Sequence, residues 1–117
     1  MLDATTDLKS LLKDPSLLET RAYVNGAFVD GEGTFEVTNP ARGDVIAQVA
    51  DVSRMQAREA IKAANTAQKD WAKWTGKERA GVLRKWFDLM MANQEDLAVI
   101  LTTEMGKPLA ESRGEIA

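Results

Sequence analysis

The chain has 117 residues, 44% of them hydrophobic and 28% charged, enough for one small core and no more. A net charge of -3, with Lys and Arg spread among the acids, leaves no basic face, so neither nucleic acid nor an anionic membrane is an expected partner. Cys and His are both absent, which removes disulfides, thiolate nucleophiles, imidazole bases and the usual transition-metal sites from these residues.

No apolar run approaches the roughly 20 residues that span a bilayer. The start, MLDATTDLKS, is acidic and polar and lacks the basic and apolar regions of a signal peptide, so a cytoplasmic location is expected. From Asp7 to Leu18 the leucines Leu8, Leu11, Leu12, Leu17 and Leu18 fit two short helical turns divided at Pro15, an arm lying on the body of the protein. Asn25-Gly26 in RAYVNGAFV predicts a hairpin through a type I′ turn, which needs positive φ at both central positions. Asp30 to Gly33 reads as a loop. Its GxG at Gly31 and Gly33 lacks a third glycine and leads into a strand, so a turn is expected there and not a phosphate loop. Phe35 and Val37 alternate with polar neighbours as in a half-buried strand, Asn39 to Asp44 makes a turn, and Val45 to Val49 reads as the next strand.

From Ser53 the period becomes helical. Ser53 with Gln56, and Thr75 with Glu78, are capping boxes that satisfy the orphan N–H groups of two helices. On the first helix Ala57, Ala60, Ile61, Ala64, Ala67 and Trp71 share a face of small side chains that predicts close packing on another element. On the second, Val82, Leu83, Trp86, Phe87 and Met90 gather into one apolar stripe that has to be covered. Asn93 is the expected cap of a third helix, with Glu95 and Asp96 suiting its positive end and Leu97, Ile100 and Leu101 as its buried face. Gly106 is the expected C′ residue and Pro108 the first position of a fourth helix. That helix reaches Ala117 within about two or three turns and shows no finishing signal, so the chain is expected to be cut there. Taken together this is an α+β chain: an arm over residues 1–20, a hairpin and strands over 21–52, and helices over 53–117.

Candidate chemistry is sparse. Trp71, Trp74 and Trp86 could line a ligand pocket, but their helical spacing points to core or interface packing. Glu111 and Glu115 are four apart on a helix with Lys107 and Arg113 nearby, the pattern of a solvated face. Met105-Gly106-Lys107-Pro108 lacks the earlier glycine and the following hydroxyl of a phosphate-binding Walker loop. Glu104 lies three residues after Leu101 and is expected at the buried edge of its helix, where it needs a cation, an Arg or backbone N–H groups. No catalytic and no cofactor-binding residue is assigned.

The order VNGAFVD, VTNPARGDVIAQV, AIKAANTAQKDWAKW, then ERAGVLRKWFDLMMANQEDLAVILTTEMGKPLAESRGEIA resembles the start of the aldehyde dehydrogenase superfamily, nearest its bacterial succinate-semialdehyde branch. The resemblance runs from about Arg21 to Ala117. It implies an α/β fold with a Rossmann-like cofactor domain, of which 53–117 would supply helices, truncated at 117. It implies NADP or NAD as cofactor, an aldehyde substrate met in GABA degradation, a homo-oligomer, and the remainder of the same enzyme chain as the principal partner. The family's thiol nucleophile, general base, oxyanion-stabilising asparagine and cofactor-binding lysine and glycine-rich turn all match positions beyond Ala117, so this segment alone is expected to be inactive. One site carries over: the family's monovalent cation, held by backbone carbonyls and an acid, maps to Val37, Thr38 and Glu104, with Glu where Asp is common. The competing expectation is a non-catalytic truncated module that packs against a partner chain.

Overall fold

Asn25 and Gly26 take φ of 51° and 80°, the left-handed pair that a two-residue type I′ turn requires. They join β1 (Ala22–Val24) to β2 (Ala27–Val29) in an antiparallel hairpin with Val24 opposite Ala27. Tyr23 faces Phe28 across it, ring centroids 5.2 Å apart and edge to face, a cross-strand pair that sets the register. In this computed structural model residues 8–117 are described, and the first seven residues of the expected arm lie outside them.

The loop after β2 passes hard against the end of the second sheet. A Cβ on Gly31 would sit 2.3 Å from the Asp51 carbonyl oxygen, so only glycine fits, and Glu32 N donates to that same oxygen at 3.0 Å. Here the GxG serves close backbone approach, and β3 follows it directly. β3 (Gly33–Thr38) pairs antiparallel with β4 (Val45–Asp51), Gly33 opposite Asp51, with an irregularity between Val37 and Thr38. Ile46 and Ala47 are buried and Val37 is half-buried, but Phe35 is exposed, so the expected alternation has only one of its apolar residues covered. Ala50 N donates to Thr20 O at 2.8 Å and ties the arm to this sheet.

Four helices follow: α1 (Arg54–Trp71), α2 (Gly76–Ala92), α3 (Gln94–Met105) and α4 (Leu109–Ile116). Both capping boxes form. Ser53 Oγ accepts from Gln56 N while Gln56 Oε1 accepts from Ser53 N, and Thr75 and Glu78 do the same. Gln56 also donates to Asp30 O at 3.0 Å, pinning the start of α1 to the loop after the hairpin. Asn93 departs from expectation. It stands at the N-cap of α3 with no side-chain cap, and its amide instead donates to Leu89 O at 2.9 Å. One residue separates α2 from α3, and its side chain closes the end of the first helix.

The best-packed helical pair is α3 with α4. Thr102 and Ser112 share a hydroxyl–hydroxyl bond of 2.7 Å, with Ser112 fully buried, and Gln94 donates to Arg113 O at 3.0 Å. Arg113 grips Glu95 through both carboxylate oxygens, at 2.8 and 2.7 Å. Leu97, Ile100 and Leu101 are half-buried and not buried as expected; Asp96 and Ala98 are the buried residues of α3. The alanine face of α1 is not tightly packed either. The hairpin residues Tyr23 to Gly26 look at Ala60, Ala63, Ala64 and Ala67 across a cleft of about 280 Å³, and Ile61 is exposed. Nothing among the described residues closes that gap.

Candidate functional site

The turn after β3 is built by Asn39. Its side-chain oxygen accepts from Ala41 N at 2.9 Å, its carbonyl accepts from Gly43 N at 2.7 Å, and Gly43 takes φ of 79° to complete the reversal. Arg42 forks onto both oxygens of Asp44, at 2.9 and 3.0 Å, and that hydrogen-bonded guanidinium holds the Asp44 carboxyl below the usual Asp range. α3 ends at Gly106 in the left-handed conformation, φ 87°, where a Cβ would come within 2.8 Å of Pro40 Cγ. The Asn39-Pro40 turn and the corner between α3 and α4 therefore adjoin, although more than sixty residues separate them in the chain.

The three residues expected to hold a monovalent cation, Val37, Thr38 and Glu104, lie within three residues of Pro40 or Gly106 along the chain. Val37 is half-buried, and Thr38 and Glu104 are exposed. For Glu104 the expected buried edge is corrected: burial along α3 fades at its last turn, where Glu104, Met105 and Gly106 all reach solvent. Glu104 has no hydrogen-bond or ion-pair partner among the described residues, whereas nearby Lys107 is taken by Glu115. Among the described residues no three Asp or Glu side chains cluster as a metal site. Backbone carbonyls with one carboxylate form a hard oxygen donor set, suited to a weakly held alkali cation and unsuited to a transition metal.

The tryptophans lie elsewhere. Trp71 and Trp74 stack at a tilt, centroids 5.3 Å apart, and with Ala64, Ala67, Val82, Leu83 and Trp86 they line an open groove of about 720 Å³ between α1 and α2. Trp86 is 63% exposed. Among the described residues lining the groove only Gln68 and Asp70 are polar, so these offer apolar area and no convergent chemistry. Glu111 and Glu115 are both exposed, as expected for a solvated face. The glycine-rich stretch at Gly31 is filled by its own backbone contact with Asp51.

What sequence reasoning missed is Asp96. Its carboxylate, 5% exposed, accepts from Lys13 N and Asp14 N, both at 2.9 Å, across more than eighty residues. An acid in the first turn of a helix is an ordinary match to the macrodipole. No local pattern points to the distant amides it receives.

Two antiparallel strand pairs lead into four helices, and an open apolar groove lies between α1 and α2. The model of the aldehyde dehydrogenase family matches residues 28–117, and the chain belongs to that family. Its architecture is that of the N-terminal part of the aldehyde dehydrogenase fold. Among its relatives is the glutarate-semialdehyde dehydrogenase of Pseudomonas aeruginosa, 51% identical over 108 residues, 91% of this chain and 22% of the relative. The 3-sulfolactaldehyde dehydrogenase of Pseudomonas putida is 50% identical over 107 residues, 90% of this chain and 22% of the relative. The crystal structure of succinate-semialdehyde dehydrogenase from Burkholderia pseudomallei superposes with a TM-score of 0.86 at 50% identity, over 90% of this chain and 22% of that one. The chain thus spans about a fifth of the length of the proteins it matches.

Proposed function

We propose that this chain is the N-terminal part of an NAD(P)-dependent aldehyde dehydrogenase that oxidises a small aldehyde bearing an anion at its far end, with succinate semialdehyde, from GABA degradation, as the first candidate. The observation that carries this reading is the family match over residues 28–117. The substrate class rests on chemistry common to the three relatives named above, each 50% identical or more. Glutarate and succinate semialdehydes carry a distal carboxylate and 3-sulfolactaldehyde a sulfonate, so an aldehyde with a remote anion is the shared feature.

The thiol nucleophile and the nicotinamide site belong to sections outside these 117 residues, and the segment alone is inactive. Residues 1–20 are an arm, 21–52 a hairpin and strands, and 53–117 the helical cover of the cofactor domain. The remaining chain packs on the Trp86 stripe and the alanine face of α1, and the finished enzyme is a cytoplasmic homo-oligomer. An alkali cation bound by the Val37 and Thr38 carbonyls and Glu104 would tie β3 to the end of α3. The adjoining of Gly106 and Pro40 supports that placement.

The test extends the reading frame past Ala117 and assays the encoded polypeptide on succinate semialdehyde, glutarate semialdehyde and an uncharged aldehyde of equal length. The expected result is a frame containing a Cys in a glycine-rich context and a kcat/KM at least about tenfold higher for the anionic aldehydes, the 1.4 kcal/mol of one ionic contact to substrate. Equal kcat/KM on the uncharged aldehyde would overturn the substrate class. A stop directly after Ala117 would overturn the enzyme reading and bring forward a module that docks its groove on a partner.

A further inference from the structure

We propose that residues 8–14 form a strap that Asp96 clasps against the start of α3 and that opens when the Asp96 carboxylate is lost or neutralised. The clasp is bidentate. Lys13 N donates to one carboxylate oxygen and Asp14 N to the other, both at 2.9 Å, so two successive amides point at a single anion. Asp96 stands in the first turn of α3, where the positive end of the helix favours a negative charge. Asn93, the residue placed to cap that end, has turned its side chain away to Leu89 O, which leaves the acid as the polar group facing the strap.

Each side of the clasp is anchored. On the strap Leu8 and Leu12 are buried, and Asp14 turns back to accept from Ser16 N at 3.0 Å. On the helix the neighbouring Glu95 is held away by the Arg113 fork from α4, so it does not compete for the same amides. The charged groups around Asp96 are Lys13 and Asp14 from the strap, Glu95 from its own helix and, through Glu95, Arg113 from α4. Lys13 alone among those beside the carboxylate adds favourable charge, and the two amides contribute more than it does.

The amides of Asp14 and then Lys13 hold the Asp96 carboxyl below the usual Asp range. A group lowered in the folded state contributes while it is ionised. Closure is therefore complete above the ordinary Asp value of about 3.9 and is lost as pH falls through the lowered one. A protonated acid turns one acceptor oxygen into an O–H that faces an N–H, and the strap is released with Leu8 and Leu12. None of this depends on the reaction the enzyme performs.

The experiment is amide hydrogen exchange on the complete polypeptide, unmodified and with Asp96→Ala or Asp96→Asn. In Asp96→Ala the Lys13 and Asp14 amides are expected to exchange about tenfold faster or more, while the β3–β4 ladder amides keep their rates. Asp96→Asn retains one carbonyl acceptor and is expected to free one of the two amides. In the unmodified protein an acid titration, read before the ladder opens, is expected to lose protection at these two amides first. Unchanged exchange at Lys13 and Asp14 in Asp96→Ala would overturn the strap. So would acceleration shared equally with the ladder in that variant, or in the acid titration.

Discussion

Gly106 is the residue on which two distant parts of the chain meet. Its φ of 87° closes α3, and its missing Cβ leaves room for Pro40. Gly106→Ala should cost about 1–2 kcal/mol from the left-handed backbone, before any adjustment at Pro40; urea unfolding of the two proteins measures it. Glu19 carries a second prediction. Its hydrogen bond from the Arg21 side chain, then from the Arg21 backbone, lowers its carboxyl to about 2. A lowered carboxyl contributes above its unfolded value near 4.5 and loses that contribution as pH falls toward 2. Glu19→Gln should therefore flatten the loss of stability between those limits, read by circular dichroism across an acid series. Both residues illustrate what the bare sequence can and cannot say. A glycine before Lys-Pro announces a helix end by local chemistry alone. The proline it must clear, and the exposure of Glu104 two residues earlier, depend on how the corner packs and have no local signature.

The elements were legible wherever a single turn of chain decides them. Asn25-Gly26 needed only its left-handed preference to give the hairpin, and Ser53 and Thr75 needed only a partner three residues on. Removing either cap, by Ser53→Ala or Thr75→Ala, should cost about 1 kcal/mol in thermal or urea unfolding. The Ser53 box bears the wider consequence, because Gln56 also reaches Asp30 O and fixes α1 on the hairpin loop. Where two elements share one residue, local rules gave the wrong answer. Asn93 takes the N-cap position of α3, yet α2 ends at the same place and the side-chain amide joins the Asn93 backbone N–H on the Leu89 carbonyl in place of capping α3. The arm shows the same limit at longer range. Its leucines predicted a packed edge, and Leu8 and Leu12 are buried, but the acid that clasps it lies on α3.

The whole molecule is spread wider than its length calls for. Its radius of gyration is 16.8 Å, against about 13 Å for a compact chain of 117 residues. Between α1 and α2 the apolar surfaces leave an open groove lined by Trp71, Trp74, Val82, Leu83 and Trp86. Such a stripe belongs inside a protein. In the 117-residue chain Trp86→Ala should change stability by no more than about 0.5 kcal/mol, as at a surface position. In the complete polypeptide, where the proposal has the remaining chain cover this stripe, the same change should cost about 3 kcal/mol or more. Paired unfolding curves distinguish the two environments. The absence of Cys and His sets the same boundary for function, since no thiolate or imidazole is available within these residues. The central proposal is that the segment belongs to an aldehyde dehydrogenase whose chemistry lies outside these 117 residues. It is tested most directly by measuring succinate-semialdehyde-dependent reduction of NADP and NAD by the purified 117-residue chain beside the polypeptide encoded by the extended frame. Turnover by the longer protein and none by the segment is the predicted result; turnover by the segment alone would contradict it.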